Sequence, residues 1–290
     1  MKKINLILLF TLLTASVFIA CKTEEPNKGN DFIPVSRIVL NVNTLTLYEN
    51  EEYTLLLTIY PEIASDKTVT WTSTNVNVAS VENGKITALS VGETTIEAKV
   101  GEQTAICNIV VKSIPENGIL INRVVWAKTN VGLTTGTFVS KPEDYGGYYQ
   151  WNRKDATVFF SPNDYSIIET YSWLPENDPS PEGWRVPKLS EITTLMDTQK
   201  VISMWTKVNG VYGLLYIDKA TNNSIFMPAA GFRDFFDGLY YNKGQYCCYW
   251  SGTAADYYYA YFCLFNTSFT YPDIYSCAMG YGQSIRPVAK

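Results

Sequence analysis

Two folded units of different class are predicted, an all-β sandwich followed by an α+β domain, and three observations carry that reading. Residues 35–112 hold short runs in which apolar and polar side chains alternate with period two. Residues 119–290 mix short strand-like runs with one segment of helical spacing. Between them Ser113 to Gly118, with Pro115 and Gly118, interrupts both patterns and reads as a boundary. At 290 residues the chain can hold two cores plus a leader and a tether. Its 46% hydrophobic and 18% charged residues are a globular balance.

Met1 to Ala20 starts with Lys2 and Lys3, continues as an apolar run and ends in a small residue before Cys21, the pattern of a secretory leader. Phe18-Ile19-Ala20-Cys21 resembles a bacterial lipobox, which implies acylation of Cys21 and an outer-membrane lipoprotein. Lys22-Thr23-Glu24-Glu25 resembles the tags that send some lipoproteins to the outer leaflet. From there to Pro34 the chain is polar and reads as a flexible tether.

In the first domain Tyr53, Leu55, Leu57 and Ile59 alternate with Thr54, Leu56 and Thr58, and Ala105, Cys107, Ile109 and Val111 form a second such run. Asn83-Gly84 and Val91-Gly92-Glu93 punctuate them, as in an antiparallel sandwich. Ile38-Val39-Leu40, Val69-Thr70-Trp71-Thr72-Ser73, Val78-Ala79-Ser80-Val81, Gly84-Lys85-Ile86-Thr87-Ala88-Leu89 and Gly92-Glu93-Thr94-Thr95-Ile96 resemble, in order, the bacterial immunoglobulin-like domain of group 2. The resemblance implies an immunoglobulin-like stalk, with Trp71 as a core residue.

In the second domain Ser190 is the expected helix cap, with Ile192, Leu195, Met196 and Val201 on one face. Six blocks follow in order: Trp126-Ala127-Lys128-Thr129-Asn130-Val131-Gly132, Tyr145 to Trp151, Gly183-Trp184-Arg185-Val186-Pro187, Gly231-Phe232-Arg233, Tyr249-Trp250-Ser251-Gly252-Thr253 and Ser284-Ile285-Arg286-Pro287-Val288. They resemble the major paralogous domain called FISUMP, which implies an α+β, C-type-lectin-like fold. Sugar-binding C-type lectins hold calcium with an acidic, Pro-containing loop and a Trp-Asn-Asp strand. Here Trp250 precedes Ser251-Gly252, and Tyr271-Pro272-Asp273 has no carboxylate before the Pro, so no metal is predicted. Asp234, Asp237, Asp256 and Asp273 read as surface residues.

The chain has no His, which removes Ser-His-Asp and Cys-His catalysis and the usual His-containing zinc sites. No catalytic residue, cofactor or metal is assigned, and an enzyme is not expected. The net charge is -5, and without Lys2 and Lys3 it is 21 basic against 28 acidic residues, or -7. That balance argues against nucleic acid as a partner. With Cys21 lipidated, Cys107, Cys247, Cys248, Cys263 and Cys277 remain, and Cys263 with Cys277 is the preferred candidate disulfide.

The residues from Tyr240 to Tyr281 are unusually rich in tyrosine and low in charge. Tyr offers large contact area at low rotamer entropy and keeps a hydroxyl, which suits a paratope-like surface. From Ala254 to Gly282 there is no Lys, Glu, Gln or Trp, and all residues except Met279 can be written by codons ending in C. Mutagenesis of Asn codons at adenine leaves such a composition. It resembles the variable region of lectin-fold proteins diversified by retroelements, with Trp250, Ser251, Arg286 and Pro287 as fixed frame.

The residues expected to touch ligand are Phe235, Phe236, Tyr240, Tyr241, Tyr246, Asp256, Tyr257, Tyr258, Tyr259, Phe262, Leu264, Asn266, Tyr271, Asp273 and Tyr275. Along 260–265 both strand faces are apolar, so the strand is either buried twice or half exposed as a patch. The expected function is a lipid-anchored surface protein that binds a protein or carbohydrate ligand through this face. A structural or tip subunit of a surface appendage is the alternative, and a polysaccharide-acting enzyme comes last.

Overall fold

The computed structural model describes residues 32–157, 170–266 and 271–290. The leader, Cys21 and the tether as far as residue 31 lie outside the described residues. Among those described, no helix is long and apolar enough to cross a membrane.

The first domain is built from β1 (Arg37–Leu40), β2 (Thr44–Tyr48), β3 (Glu52–Thr54), β4 (Leu57–Tyr60), β5 (Thr70–Ser73), β6 (Ala79–Glu82), β7 (Lys85–Ala88), β8 (Gly92–Val100) and β9 (Gln103–Lys112). A sheet ordered β2-β9-β8-β5 faces one ordered β3-β7-β6, with β1 and β4 paired beside them. Leu47, Leu55, Ile86, Ile96, Cys107 and Ile109 fill the space between, so the alternation of β9 has one buried side as its period demands. The run from Tyr53 to Ile59 is two strands rather than one. At Leu55 the amide donates to the Gly84 carbonyl, and at Leu56 to the Asn41 Oδ1, which moves the chain from one sheet to the other without losing a bond. Asn83 and Gly84, at φ 50° and 81°, form the two-residue turn between β6 and β7. Half-buried Trp71 packs against the core and lies 3.1 Å from where a Cβ on Gly84 would stand.

The second domain comprises β10 (Gly118–Ile121), β11 (Val124–Ala127), β12 (Tyr149–Gln150), β13 (Trp184–Arg185), α1 (Leu189–Thr194), β14 (Val201–Val208), β15 (Val211–Asp218), β16 (Ser224–Pro228), β17 (Phe232–Arg233), β18 (Tyr240–Tyr241), β19 (Tyr246–Ala254), β20 (Tyr259–Asn266), β21 (Asp273–Ala278), β22 (Gly282–Gln283) and β23 (Val288–Ala289). It is mostly β, with less helix than an α+β domain was expected to show. Ser190 does not cap α1. It sits inside the first turn, Lys188 precedes the helix, and the Lys188 amide donates to Glu191 Oε2 at 2.7 Å. Arg185 holds that carboxylate from the other side, which leaves no role for a serine cap. Ile192 and Leu195 still reach the core, and Val201 joins them from β14.

The sheets β14-β15-β16 and β19-β20-β21 enclose Leu214, Tyr216, Ile225 and Met227 on one side and Cys247, Tyr249, Cys263 and Phe265 on the other. The reverse face of β19 and β20, with Cys248, Trp250, Ala260 and Phe262, packs on Tyr149, Trp151 and Trp173. β11 pairs with β23, Trp126 opposite Val288, so the two ends of the domain meet.

Arg286 ties these layers together from a fully buried position. Its Nε donates to Asn130 Oδ1 at 2.7 Å, Nη1 to the Lys128 and Ala127 carbonyls at 2.7 and 3.2 Å, and Nη2 to the Phe226 carbonyl at 2.9 Å. Asn130 passes the connection on through its Nδ2 to the Tyr145 carbonyl and to Tyr249 Oη, which itself donates to the Pro228 carbonyl. Burial pushes the guanidinium pKa down to about 10, which keeps it charged at neutral pH.

The two domains meet at the turn between β10 and β11. Arg123, at φ 67°, reaches back to Glu51 Oε1 at 3.1 Å and the Thr46 carbonyl at 3.2 Å, and lies over the Tyr53 ring. A left-handed arginine costs about 1 kcal/mol or more, which the contacts across the joint offset.

Two substitutions test this account by denaturant unfolding. Arg286→Met orphans several buried acceptors at ~1–3 kcal/mol each, and should remove the unfolding transition of the second domain while sparing that of the first. Gly84→Ala should lower only the first transition, by about 1–2 kcal/mol.

Candidate ligand-binding face

The face is assembled on a buried tryptophan frame. Trp250 Nε1 donates to the Tyr149 carbonyl at 2.7 Å and Trp151 Nε1 to the Ser251 carbonyl at 2.8 Å, each satisfying an indole that is closed to water. On this frame sit two projecting turns and the loop that joins them.

The first turn is the connection between β17 and β18. Asp234 Oδ1 accepts the Phe236 amide, Asp237 Oδ1 accepts the Leu239 amide, and Arg233 Nε donates to the Gly238 carbonyl. Gly231, at φ 66°, lets the backbone lie directly against Tyr241; a side chain there would overlap the Tyr241 carbonyl. The result presents Phe236, 74% exposed, with exposed Leu239, Tyr240 and Tyr241 beside it. Tyr241 Oη donates to Asp237 Oδ2 at 2.6 Å; this bond lowers the Asp237 pKa and raises that of Tyr241.

The second turn joins β19 to β20. Asp256 Oδ1 accepts from the Tyr258 and Tyr259 amides at 2.7 and 2.8 Å, which throws Tyr257, Tyr258 and Tyr259 outward. Tyr258 is 62% exposed, and Tyr257 lies 5.8 Å from the Tyr171 ring. The Met279 amide donates to the Tyr258 carbonyl, and two residues on, Tyr281 packs edge-on against Phe232 and Phe235. The turn at 279–281 thus lies between the two aromatic groups, bonded to one through its backbone and packed on the other through half-buried Tyr281.

The other expected contact residues divide. Asp273, Tyr275 and Tyr271 are exposed on or beside the edge strand β21. Phe235, Tyr246 and Leu264 are half-buried, with Tyr246 and Leu264 packed against the second core. Phe262 and Asn266 are buried and cannot meet a ligand, contrary to expectation. β20 is the central strand of its sheet and is covered on both sides, Cys263 and Phe265 by one core and Ala260 and Phe262 by the other. The strand is buried twice.

The Cys263–Cys277 disulfide is also excluded. Cys263 lies opposite Ile274 and Cys277 opposite Ala260. Three register positions separate the two, about 10 Å along the strand, and the odd count puts them on opposite faces. All five described cysteines are free thiols, and burial pushes the Cys263 thiol up to about 12.

Among the described residues no group of three or more His, Cys, Asp or Glu could hold a metal. Asp234, Asp237, Asp256 and Asp273 each accept a backbone amide of their own turn or strand end. Lys243 escaped the sequence reading. Its Nζ lies 3.9 Å from the Tyr240 ring centre and 5.2 Å from that of Tyr148, a cation on the aromatic surface. Its signal was that it is the single basic residue between Asp234 and Gly282.

Two measurements check the face. Asp237→Asn should bring the Tyr241 ionisation back down toward that of exposed tyrosines in a titration followed by phenolate absorbance. Alkylation without reductant should modify all five described cysteines in denaturant, and Cys277 ahead of the others in the native chain, because it alone is partly exposed.

Residues 34–109 match the model of the bacterial Ig-like domain (group 2). An uncharacterized protein of Clostridium acetobutylicum is 35% identical over 137 residues, 46% of this chain and 14% of its own length. An Ig-like virion protein of Serratia phage KSP90 is 32% identical over 83 residues, 27% of this chain and 32% of its own. The chain thus spans a third or less of these relatives. Among solved structures, domains 4 and 5 of the S-layer protein SbsC align at a TM-score of 0.24 and 20% identity over 27% of this chain and 51% of that one. The Bacteroides ovatus mixed-linkage glucan utilization protein SGBP-B aligns at 0.20 and 8% identity over 86% and 70%. TM-scores this low carry no argument about the second domain. The first domain is a bacterial Ig-like domain of group 2.

Proposed function

We propose that this chain is a cell-surface binding protein in which the Ig-like domain is a stalk and the second domain a lectin-like head. The observation that carries the reading is two groups of exposed aromatic side chains, Tyr257–Tyr259 and Phe236 with Tyr240 and Tyr241, linked through half-buried Tyr281 and held by hydrogen-bonded turns on a buried tryptophan frame. Ordered aromatic side chains lose little entropy on binding, and burying them supplies most of the affinity of a compact interface. Paired domain ends, β11 with β23, and long connections over a small sheet core are consistent with a C-type-lectin-like head. The leader pattern supports attachment through acylated Cys21.

In this reading the ligand is a protein or a glycan, bound without turnover. The exposed positions of the 234–282 segment vary between copies of the gene, while Trp250, Ser251 and Arg286, all buried, stay fixed. Glycan and protein arrays probed with the full chain should yield ligands whose binding falls by roughly 10-fold or more when Phe236, Tyr240 and Tyr258 are replaced together by Ala. Equal binding by that variant would place the site elsewhere. Deep sequencing of the gene from one growing population should find substitutions at adenines of exposed positions; an invariant segment would remove the diversification part of the proposal alone.

A further inference from the structure

The outer edge of β14 is open among the described residues. β14 and β15 are joined by the two-residue turn Asn209-Gly210, with Val208 opposite Val211. In such a hairpin these two residues exchange both main-chain bonds, so Thr206, Met204 and Ile202 also bond toward β15. The other side of β15 fixes the same parity, since the Tyr212 carbonyl accepts from Ala229 and the Asp218 amide donates to Asn223. The backbone groups of Ser203, Trp205 and Lys207 therefore point away from the sheet. β14 is the terminal strand, and among the described residues no strand lies beside it. Val201 is already closed, its amide donating to the Asp197 carbonyl at 2.8 Å.

The side chains fit the same surface. Trp205 turns inward against Phe265. On the outward face Ile202 and Met204 are 45% and 46% exposed, followed by Thr206 and Val208, with no charge among the four. An edge of this length, with Lys207 its single charge and its outward ladder groups unpaired among the described residues, is a template for another strand.

We propose that the partner is β14 of a second copy, paired antiparallel about a two-fold axis through Trp205. In that register Ser203 faces Lys207 of the other copy, Met204 faces Thr206 and Ile202 faces Val208. All three outward residues of each copy are used, making about six main-chain hydrogen bonds. Moving the axis to Met204 brings Val201, whose amide is committed, into the ladder. Moving it to Thr206 brings in Asn209 of the turn. An axis at Lys207 would oppose two ammonium groups. The edge is thus complementary to itself in one register, as an isologous contact requires.

The test is sedimentation of the full chain in density-matched non-ionic detergent over rising concentration. A reversible dimer with a Kd on the order of 10–100 µM is expected, given one small contact. Ser203→Pro deletes an amide that bonds nothing among the described residues, so thermal stability should hold while the dimer is lost. Met204→Lys, which leaves the backbone intact, should weaken it by roughly 10-fold or more. The triple Ala variant of the aromatic face should dimerise normally, which separates this interface from ligand binding. A chain that stays monomeric to ~500 µM, or a dimer that survives both Ser203→Pro and Met204→Lys, overturns the proposal.

Discussion

The second domain depends on one buried guanidinium. Arg286 bonds Asn130 and the carbonyls of Ala127, Lys128 and Phe226, and so joins two segments distant in sequence, the end of β11 with the loop after it and β16 of another sheet. A charge without a carboxylate partner is tolerable there because neutral acceptors saturate its donors, and oriented carbonyl dipoles replace water around it. The cost of its desolvation is also the source of its specificity. Any packing that misplaced one of these segments would leave both the guanidinium and a carbonyl unmet. The frame beneath the aromatic face inherits its geometry from this cluster through Tyr249, next to Trp250 on β19.

Above the frame, order comes from short-range bonds. The projecting turns are fixed by aspartates that accept amides from the residues just after them, Asp234 and Asp237 in the first and Asp256 in the second, and these bonds hold the aromatic side chains outward. This division lets the outward residues change while the fold stays put. It also commits Asp234, Asp237 and Asp256 to amides of their own turns.

What could be read from the sequence follows the range of the forces involved. Period-two burial along β9 and the Asn83-Gly84 turn are local and were legible. The break in the run at Leu55–Leu56 was not, because it is made by Gly84 and Asn41, remote in the chain. Ser190 failed as a cap because Arg185 positions Glu191 for that work. Phe262 and Asn266 looked like surface residues in a stretch where both faces were apolar, and only the packing of two sheets shows that both sides are covered. The Cys263–Cys277 pairing depended on hairpin register, where a one-residue shift reverses the face of every side chain. Lys243 was visible only as an isolated cation, since Tyr148 is brought to it from a distant segment.

The first domain has one parallel strand pair, β2 beside β9, running from Thr44 opposite Asn108 to Tyr48 opposite Lys112. β9 leads directly into the head, while β2 lies near the start of the domain. Tension applied between residues ahead of β2 and the second domain therefore pulls these two strands lengthwise in opposite directions. Their hydrogen bonds lie across that pull and must shear together instead of opening one after another. Resistance to such a pull is set by a rate of rupture and not by equilibrium stability. The arrangement makes the first domain resist stretching along the chain.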